Sequence, residues 1–189
     1  MEDKVDDSDW ISDLIRITAQ ELPELKPKEK KVKKHLNYSW GKNRIIEIPD
    51  RKYYSELVEI WESSVRATHD FLTEEDIQSL KPLILNKYFP AVELKCIRDK
   101  FGQISGFTGI AEDKIEMLFV SPDSHGKGFG KELVEYSIRI FGVDKVDVNE
   151  QNPSALGFYE HMGFRVESRS ELDSQGKPFP LLHMILQRG

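Results

Sequence analysis

A chain of 189 residues, 39% of them hydrophobic, has material for one sizeable core and a small appendage, which excludes two full domains. Its 33 acidic against 27 basic side chains leave a net charge of −6, which argues against a general nucleic-acid binder while leaving room for a local basic patch. No run of 18 apolar residues and no apolar core behind a basic start are present, so a cytoplasmic protein with no membrane partner is expected.

Residues 1–43 carry nine basic and nine acidic side chains, so the whole deficit falls on residues 44–189. Trp10, Ile11, Leu14, Ile15 and Thr18 recur at helical spacing behind Ser8 or Asp9, which predicts an amphipathic helix over residues 9–22. It could dock on its own domain, a partner subunit or a membrane surface, and its polar face lacks the basic bias of membrane-surface helices. Six of the nine residues from Lys26 to Lys34 are lysine. Such a block repels itself and reads as a solvated linker, the alternative being recruitment of nucleic acid or an acidic partner. Residues 1–43 are therefore taken as an N-terminal extension and 44–189 as the folded domain.

Arg44–Ile48 is a short β-like run ending at Pro49, and Asp50 caps a helix with Tyr54, Leu57, Val58, Trp61 and Val65 on one face. That helix stops near Thr68–Phe71. Thr73–Asp76 resembles a capping box ahead of a second face of Ile77, Leu80, Ile84 and Tyr88, with a kink or break expected at Pro82. Val92–Cys96, Gln103–Ile110 and Lys114–Val120 then read as a three-strand meander. A glycine-rich stretch, His125 to Lys131, leads into a helix with Leu133, Val134, Ser137, Ile138 and Phe141 on one face. Lys145–Asn149 is a strand, Asn152-Pro153 caps a helix that ends at Gly163, and Phe164–Ser170 and Pro180–Leu186 are closing strands joined through residues 173–176. The order predicts an α/β fold on a mixed sheet.

Gly126, Gly128 and Gly130 free the backbone where a helix begins, and the first turn of a helix leaves N–H donors unpaired at the positive end of its dipole. This suits a pyrophosphate, with Lys127 and Lys131 at its edge, although a glycine run can also be a plain turn. A Walker A loop would need glycine at His125 and Ser or Thr at Glu132, and the dinucleotide pattern would need glycine at Lys131, so neither applies.

Leu118-Phe119-Val120, Ser121-Pro122-Asp123 and then His125-Gly126-Lys127-Gly128-Phe129-Gly130 resemble the signature of the GCN5-related N-acetyltransferase (GNAT) family: Arg or Gln, two residues, Gly, one residue, Gly or Ala. Asn152 to Phe164 resembles that family's Asn-x-x-Ala-x-x-Phe-Tyr-x-x-x-Gly-Phe segment, about 22 residues further on. Ala67–Leu72, Asn149–Asn152 and Gly176–Leu182 are similar to segments of one branch of small bacterial acetyltransferases. The resemblance covers residues 44–187 and departs at His125, which stands where the family has Arg or Gln. It implies a mostly antiparallel central sheet with flanking helices, acetyl-CoA as cofactor, and transfer of its acetyl group to a primary amine on a small molecule or peptide by direct attack.

It also implies roles for single residues. Backbone groups of Leu118, Phe119 and Val120 would bind the pantetheine and polarise the carbonyl. The loop from His125 to Lys131 would hold the pyrophosphate, and Asn152 would both cap its helix and touch the cofactor. Tyr159 would protonate the departing thiolate, the alternative being plain core packing. Glu116 is the first choice for the base, Asp147 the second, and Glu150 a third carboxylate better suited to substrate contact. His69, Asp70 and Phe71 would wall the acceptor site, although a lone histidine such as His69 or His183 also serves as a helix-end or local hydrogen-bonder.

Cys96, the only cysteine, excludes an internal disulfide and reads as a small buried residue rather than an acyl carrier. The five histidines show no paired-ligand spacing, so no metal site is expected. Conservation of the fold without turnover, as an acyl-CoA-binding or regulatory module, is the competing class. The oligomeric state, a homodimer included, is open.

Overall fold

The alternating and helical patterns assemble, in a computed structural model that describes residues 38–40, 44–68, 73–172 and 180–187, into one twisted sheet flanked by helices. The strands are β1 (Tyr38–Trp40), β2 (Arg44–Glu47), β3 (Glu93–Arg98), β4 (Ile104–Ala111), β5 (Lys114–Val120), β6 (Lys145–Asn149), β7 (Phe164–Ser170) and β8 (Leu181–Leu186). Their spatial order is β1-β2-β3-β4-β5-β6-β8-β7. Every neighbouring pair is antiparallel except β5 and β6. The mixed, mostly antiparallel sheet is the one the sequence predicts.

Helix α1 (Tyr54–Thr68) follows a 3-10 turn at Arg51–Tyr53 whose first N–H groups are met by Asp50, its Oδ1 accepting from Lys52 N at 3.3 Å. Helix α2 (Glu74–Leu83) continues through a wider π-type turn at Ile84–Tyr88 and a last turn at Phe89–Ala91. The apolar stripes of α1 and α2 close on Leu94 and Cys96 of β3, Phe107 of β4 and Met117 of β5. Phe89 stands edge-on to Phe107 at 5.6 Å, a geometry in which ring edge meets ring face favourably. On the other face, α3 (Phe129–Tyr136, widening at Ser137–Phe141) and α4 (Pro153–His161) bury Val134, Tyr159, Val146, Val148, Phe164 and Met184.

Two expectations change. The chain does not break at Pro82, which sits on the exposed side while Ile77, Leu80, Ile84 and Tyr88 hold the helix from beneath. A prolyl nitrogen has no proton to donate, and the ladder widens in the turn that follows. In addition, Tyr38–Trp40, from the stretch read as an extension, pair with β2 as an edge strand. The helix predicted over residues 9–22, the lysine block and the 173–176 turn lie outside the described residues.

Candidate active site

The site originates in a single extra residue. On β5, Met117 lies opposite Gly109 and Ile115 opposite Ile110, which leaves Glu116 with no partner on β4: a β-bulge. A bulge bends its strand and raises the local twist. On its other edge β5 pairs with β6 only at Lys114↔Lys145 and Ile115↔Val146. Beyond those pairs the two strands part into a wedge, with Leu118, Phe119 and Val120 along one wall and Asp147 and Asn149 along the other. Leu118 and Val120 pack toward α3 and α4, whereas Phe119 turns to the α1 side, 5.5 Å from the Phe107 ring.

The wedge opens onto the glycine loop. A 3-10 turn at Pro122–Ser124 starts it, with Ser124 N donating to Ser121 O at 2.8 Å and His125 N to Pro122 O at 3.1 Å. Gly126 (φ +71°) and Gly128 (φ +88°) take the left-handed backbone that side chains resist. Phe129 then buries itself as the first residue of α3. Among the described residues, the N–H groups of Gly126, Gly128, Phe129, Gly130 and Lys131 have no backbone acceptor. Free donors at the positive end of a helix suit the charge of a pyrophosphate, so the residues present fit a CoA-type group.

His125 turns back, its Nε2 3.0 Å from Val120 O, a bond in which the ring N–H donates. It thus ties the loop to the strand and occupies one carbonyl that the sequence reading left for pantetheine. Lys127 Nζ donates to Asp123 O at 2.6 Å, and Lys131 lies 3.8 Å from Glu135. Arg44 was not anticipated from sequence: its guanidinium lies 3.8 Å over the Phe129 ring and donates to Glu132 Oε1 at 2.6 Å and Lys127 O at 2.9 Å. It braces the loop from β2. A cavity of about 310 Å³ lined by Arg44, Lys100, Phe101, Lys127 and Phe129 lies behind the loop, and neither Tyr159 nor Glu116 lines it.

Asn152 caps α4, its Oδ1 accepting from Ala155 N at 3.0 Å. About two turns on, Tyr159 is buried between Phe158 and Phe164, both edge-on to it. Burial pushes its phenol above the ordinary value near 10, so it keeps its proton at neutral pH. Its hydroxyl has no hydrogen-bond partner among the described residues.

On the face of β6 and β8 away from α4, acidic and basic groups meet. Lys114 Nζ lies 2.6 Å from Asp147 Oδ2 and 3.6 Å from Glu116 Oε1. His183, directly opposite Asp147 on β8, has Nδ1 2.8 Å from Asp147 Oδ1 and Nε2 2.7 Å from Ser170 Oγ. The two carboxylates of the sequence reading are thus together, joined by a lysine it did not single out. Glu150 is elsewhere engaged: Arg169 forks onto both its oxygens at 2.8 Å, which holds its carboxyl pKa below the usual carboxylate value. His69, Asp70 and Phe71 lie outside the described residues. Cys96 is fully buried and its thiol is pushed up to about 12, as expected of a packing residue.

Among the described residues no helix is long and apolar enough to cross a membrane, and no cluster of ligands could hold a metal ion. The model of the acetyltransferase (GNAT) domain matches residues 92–166, from the end of α2 through the wedge and loop into β7. The peptidyl-lysine N-acetyltransferase YjaB of Salmonella typhimurium is 40% identical over 129 residues, covering 68% of this chain and 88% of that protein. The solution structure of apo-form YjaB from Escherichia coli superposes with a TM-score of 0.68 at 37% identity, over 77% of this chain and 99% of that one. The PaiA N-acetyltransferase of Thermoplasma acidophilum, in complex with coenzyme A, shares the fold at 19% identity and a TM-score of 0.61, over 77% and 99% of the two chains. The fold is therefore shared with these proteins, and the chain belongs to the GNAT family of acetyltransferases.

Proposed function

We propose that the chain transfers the acetyl group of acetyl-CoA to a primary amine, with a lysine side chain of a peptide as the acceptor class. The observation that carries this reading is the wedge between β5 and β6, open toward the free N–H groups of Gly126 and residues 128–131 and adjoining α4, which bears Tyr159. Bound there, acetyl-CoA supplies a thioester-activated acyl group and a good leaving group.

The chain's own residues supply the rest. Backbone groups of Leu118, Phe119 and Val120, without a strand partner on the β6 side, bind the pantetheine arm and polarise the carbonyl, the Val120 carbonyl excepted because His125 holds it. The loop from His125 through Gly126, Lys127, Gly128, Phe129 and Gly130 to Lys131 binds the pyrophosphate, and the Asn152 amide, its oxygen spent on the cap, offers its N–H groups to the same ligand. Tyr159 holds a proton at its hydroxyl for the thiolate. Glu116 and Asp147 draw the acceptor's ammonium into the wedge from its two walls. The name of the YjaB relatives supports a peptide lysine as acceptor, and the acidic cleft is consistent with a cation.

Free-thiol release from acetyl-CoA, measured across small amines, amino acids and lysine peptides, tests the proposal. Release with lysine peptides is the expected result. Binding of acetyl-CoA without release for any acceptor would leave a non-catalytic acyl-CoA-binding module.

A further inference from the structure

The tip of the β3–β4 hairpin carries a large apolar ring that belongs to none of the buried clusters among the described residues. Asp99 Oδ1 accepts from Phe101 N at 2.9 Å and from Gln103 N at 3.0 Å, and Gly102 turns the chain at φ +84°, so the tip is held in place. Phe101 is nevertheless 77% exposed, with Lys100 Nζ 4.8 Å from its ring centre. Both residues line the cavity of about 310 Å³ whose remaining walls include Arg44 of β2 and Lys127 and Phe129 of the glycine loop. The charge of Arg44 is met by Glu132, and one oxygen of Asp99, also on the wall, is spent on the turn. Lys100 and Lys127 have no carboxylate partner among the described residues, and Lys127 Nζ donates to a neutral acceptor, Asp123 O. In a chain of net charge −6, uncompensated cations gathered with an open ring at one cavity suit a phosphomonoester attached to an aromatic base.

The place of the cavity in the fold indicates which molecule brings that group. CoA has its pyrophosphate between two arms, pantetheine at one end and adenosine bearing a 3′-phosphate at the other. With the pyrophosphate on the N–H groups of the loop and pantetheine in the wedge on the β6 side of β5, the second arm has to leave the loop elsewhere. The strand order sets β4, β3 and β2 on the flank of β5 opposite β6, and the cavity is built from β2, the β3–β4 tip and the loop itself. The loop thus stands between wedge and cavity. We infer that the cavity receives the adenosine 3′-phosphate of CoA, its base stacked on Phe101 and its phosphate drawn to Lys100 and Lys127; the assignment rests on the acetyl-transfer reading above. Arg44 and Lys127 also serve the loop, so Lys100 and Phe101 are the residues whose loss touches this end of the ligand alone. A separate nucleotide of the same chemistry would fit the same walls, and competition with CoA separates the two sources.

The test is isothermal titration of the full chain with CoA, with dephospho-CoA, which lacks the 3′-phosphate, and with adenosine 3′,5′-bisphosphate, for wild type, Lys100→Gln and Phe101→Ala, with thermal melts of each. Wild type should bind CoA about tenfold more tightly than dephospho-CoA at low salt, and the ratio should shrink as salt screens the exposed lysines. Lys100→Gln should weaken CoA by about fivefold and leave dephospho-CoA unchanged, because its amine meets only the phosphate. Phe101→Ala should weaken both ligands by about fivefold or more, because both carry the base. Adenosine 3′,5′-bisphosphate should bind the free chain and be displaced by CoA. Equal wild-type affinities for CoA and dephospho-CoA, a Lys100→Gln variant that weakens both ligands equally or neither, or wild-type affinities in Phe101→Ala would each overturn the assignment while leaving acetyl transfer standing. Bisphosphate that binds alongside CoA would give the cavity to a separate nucleotide and overturn it as well. A wild-type chain that binds neither CoA nor dephospho-CoA would overturn the acetyl-transfer reading itself, and this site with it.

Discussion

Asn152 is assigned two roles through two ends of one amide, and substitution can separate them. Its oxygen accepts from Ala155 N at 3.0 Å and so satisfies one of the unpaired donors at the start of α4, with Pro153 as the first helical residue. Its nitrogen is free of that task and is the end proposed to meet the cofactor. Asn152→Ala removes the cap and should cost about 1 kcal/mol, the usual value for a lost N-cap. In a domain of this size that lowers the melting temperature by roughly 2–4 °C. Asn152→Asp keeps the accepting oxygen and adds a negative charge at a helix N-terminus, which is neutral or stabilising by a few tenths of a kcal/mol. It also removes the N–H donors and sets a charge beside bound phosphates, so acetyl-CoA binding should fall by at least tenfold. Differential scanning calorimetry and isothermal titration with acetyl-CoA give both numbers for both variants. Equal destabilisation by Ala and Asp would refute the cap argument, and wild-type affinity in the Asp variant would refute the cofactor contact.

Tyr159→Phe removes a hydroxyl without a partner among the described residues from a well-packed ring, so the melting temperature and acetyl-CoA affinity should hold while kcat falls about 100-fold; unchanged turnover would take Tyr159 out of the acid role. Gly128→Ala forces a side chain into a left-handed backbone at φ +88° and should cost about 1–2 kcal/mol while weakening acetyl-CoA. Gly157→Ala, in α4 with nothing within 4 Å of the added carbon, should be neutral or stabilise the fold in the same melts. For Cys96 the linkage runs downward with pH: burial holds the folded thiol neutral up to about 12 while the unfolded one ionises from near 9. Its contribution is largely intact below pH 9 and falls toward a slope of about 1.4 kcal/mol per pH unit above it, so urea melts of Cys96→Ala and wild type should converge by about 1 kcal/mol from pH 9 to pH 10.

The features legible in the sequence are those encoded locally. The stripe Ile77, Leu80, Ile84 and Tyr88, the Asn152 cap and the left-handed Gly163 each depend on residues a few positions apart, and each stands in the structure as read. Ser170, His183 and Asp147 illustrate the opposite case. They are 13 and 36 residues apart and meet only because β8 inserts between β6 and β7 in a register that sets His183 against Asp147. No spacing rule announces such a cluster. Glu150 and Arg169, 19 residues apart, are hidden in the same way, and a carboxylate that reads as a substrate contact is held in a fork. Strand β1 escaped notice because three residues carry too short an alternation to register.

The bulge at Glu116 links the fold to the chemistry more tightly than either the loop or the helices do. Without the extra residue, β5 would have no local cause to twist away from β6 where it does, and the two strands could continue pairing past Ile115 and Val146. Backbone groups of Leu118 and Val120 would then be spent on the ladder, with none left to bind a ligand. The same insertion brings Glu116 to the side of Lys114, on the wall that faces Asp147. Lys114 cancels one of the two carboxylates and leaves the wedge with one net negative charge. The glycine loop at the other end of β5 presents unpaired N–H groups and a helix N-terminus. On the acetyl-transfer reading proposed above, an anionic donor and a cationic acceptor would be drawn to opposite ends of one strand, with the acyl carbon and the amine meeting in the wedge between them.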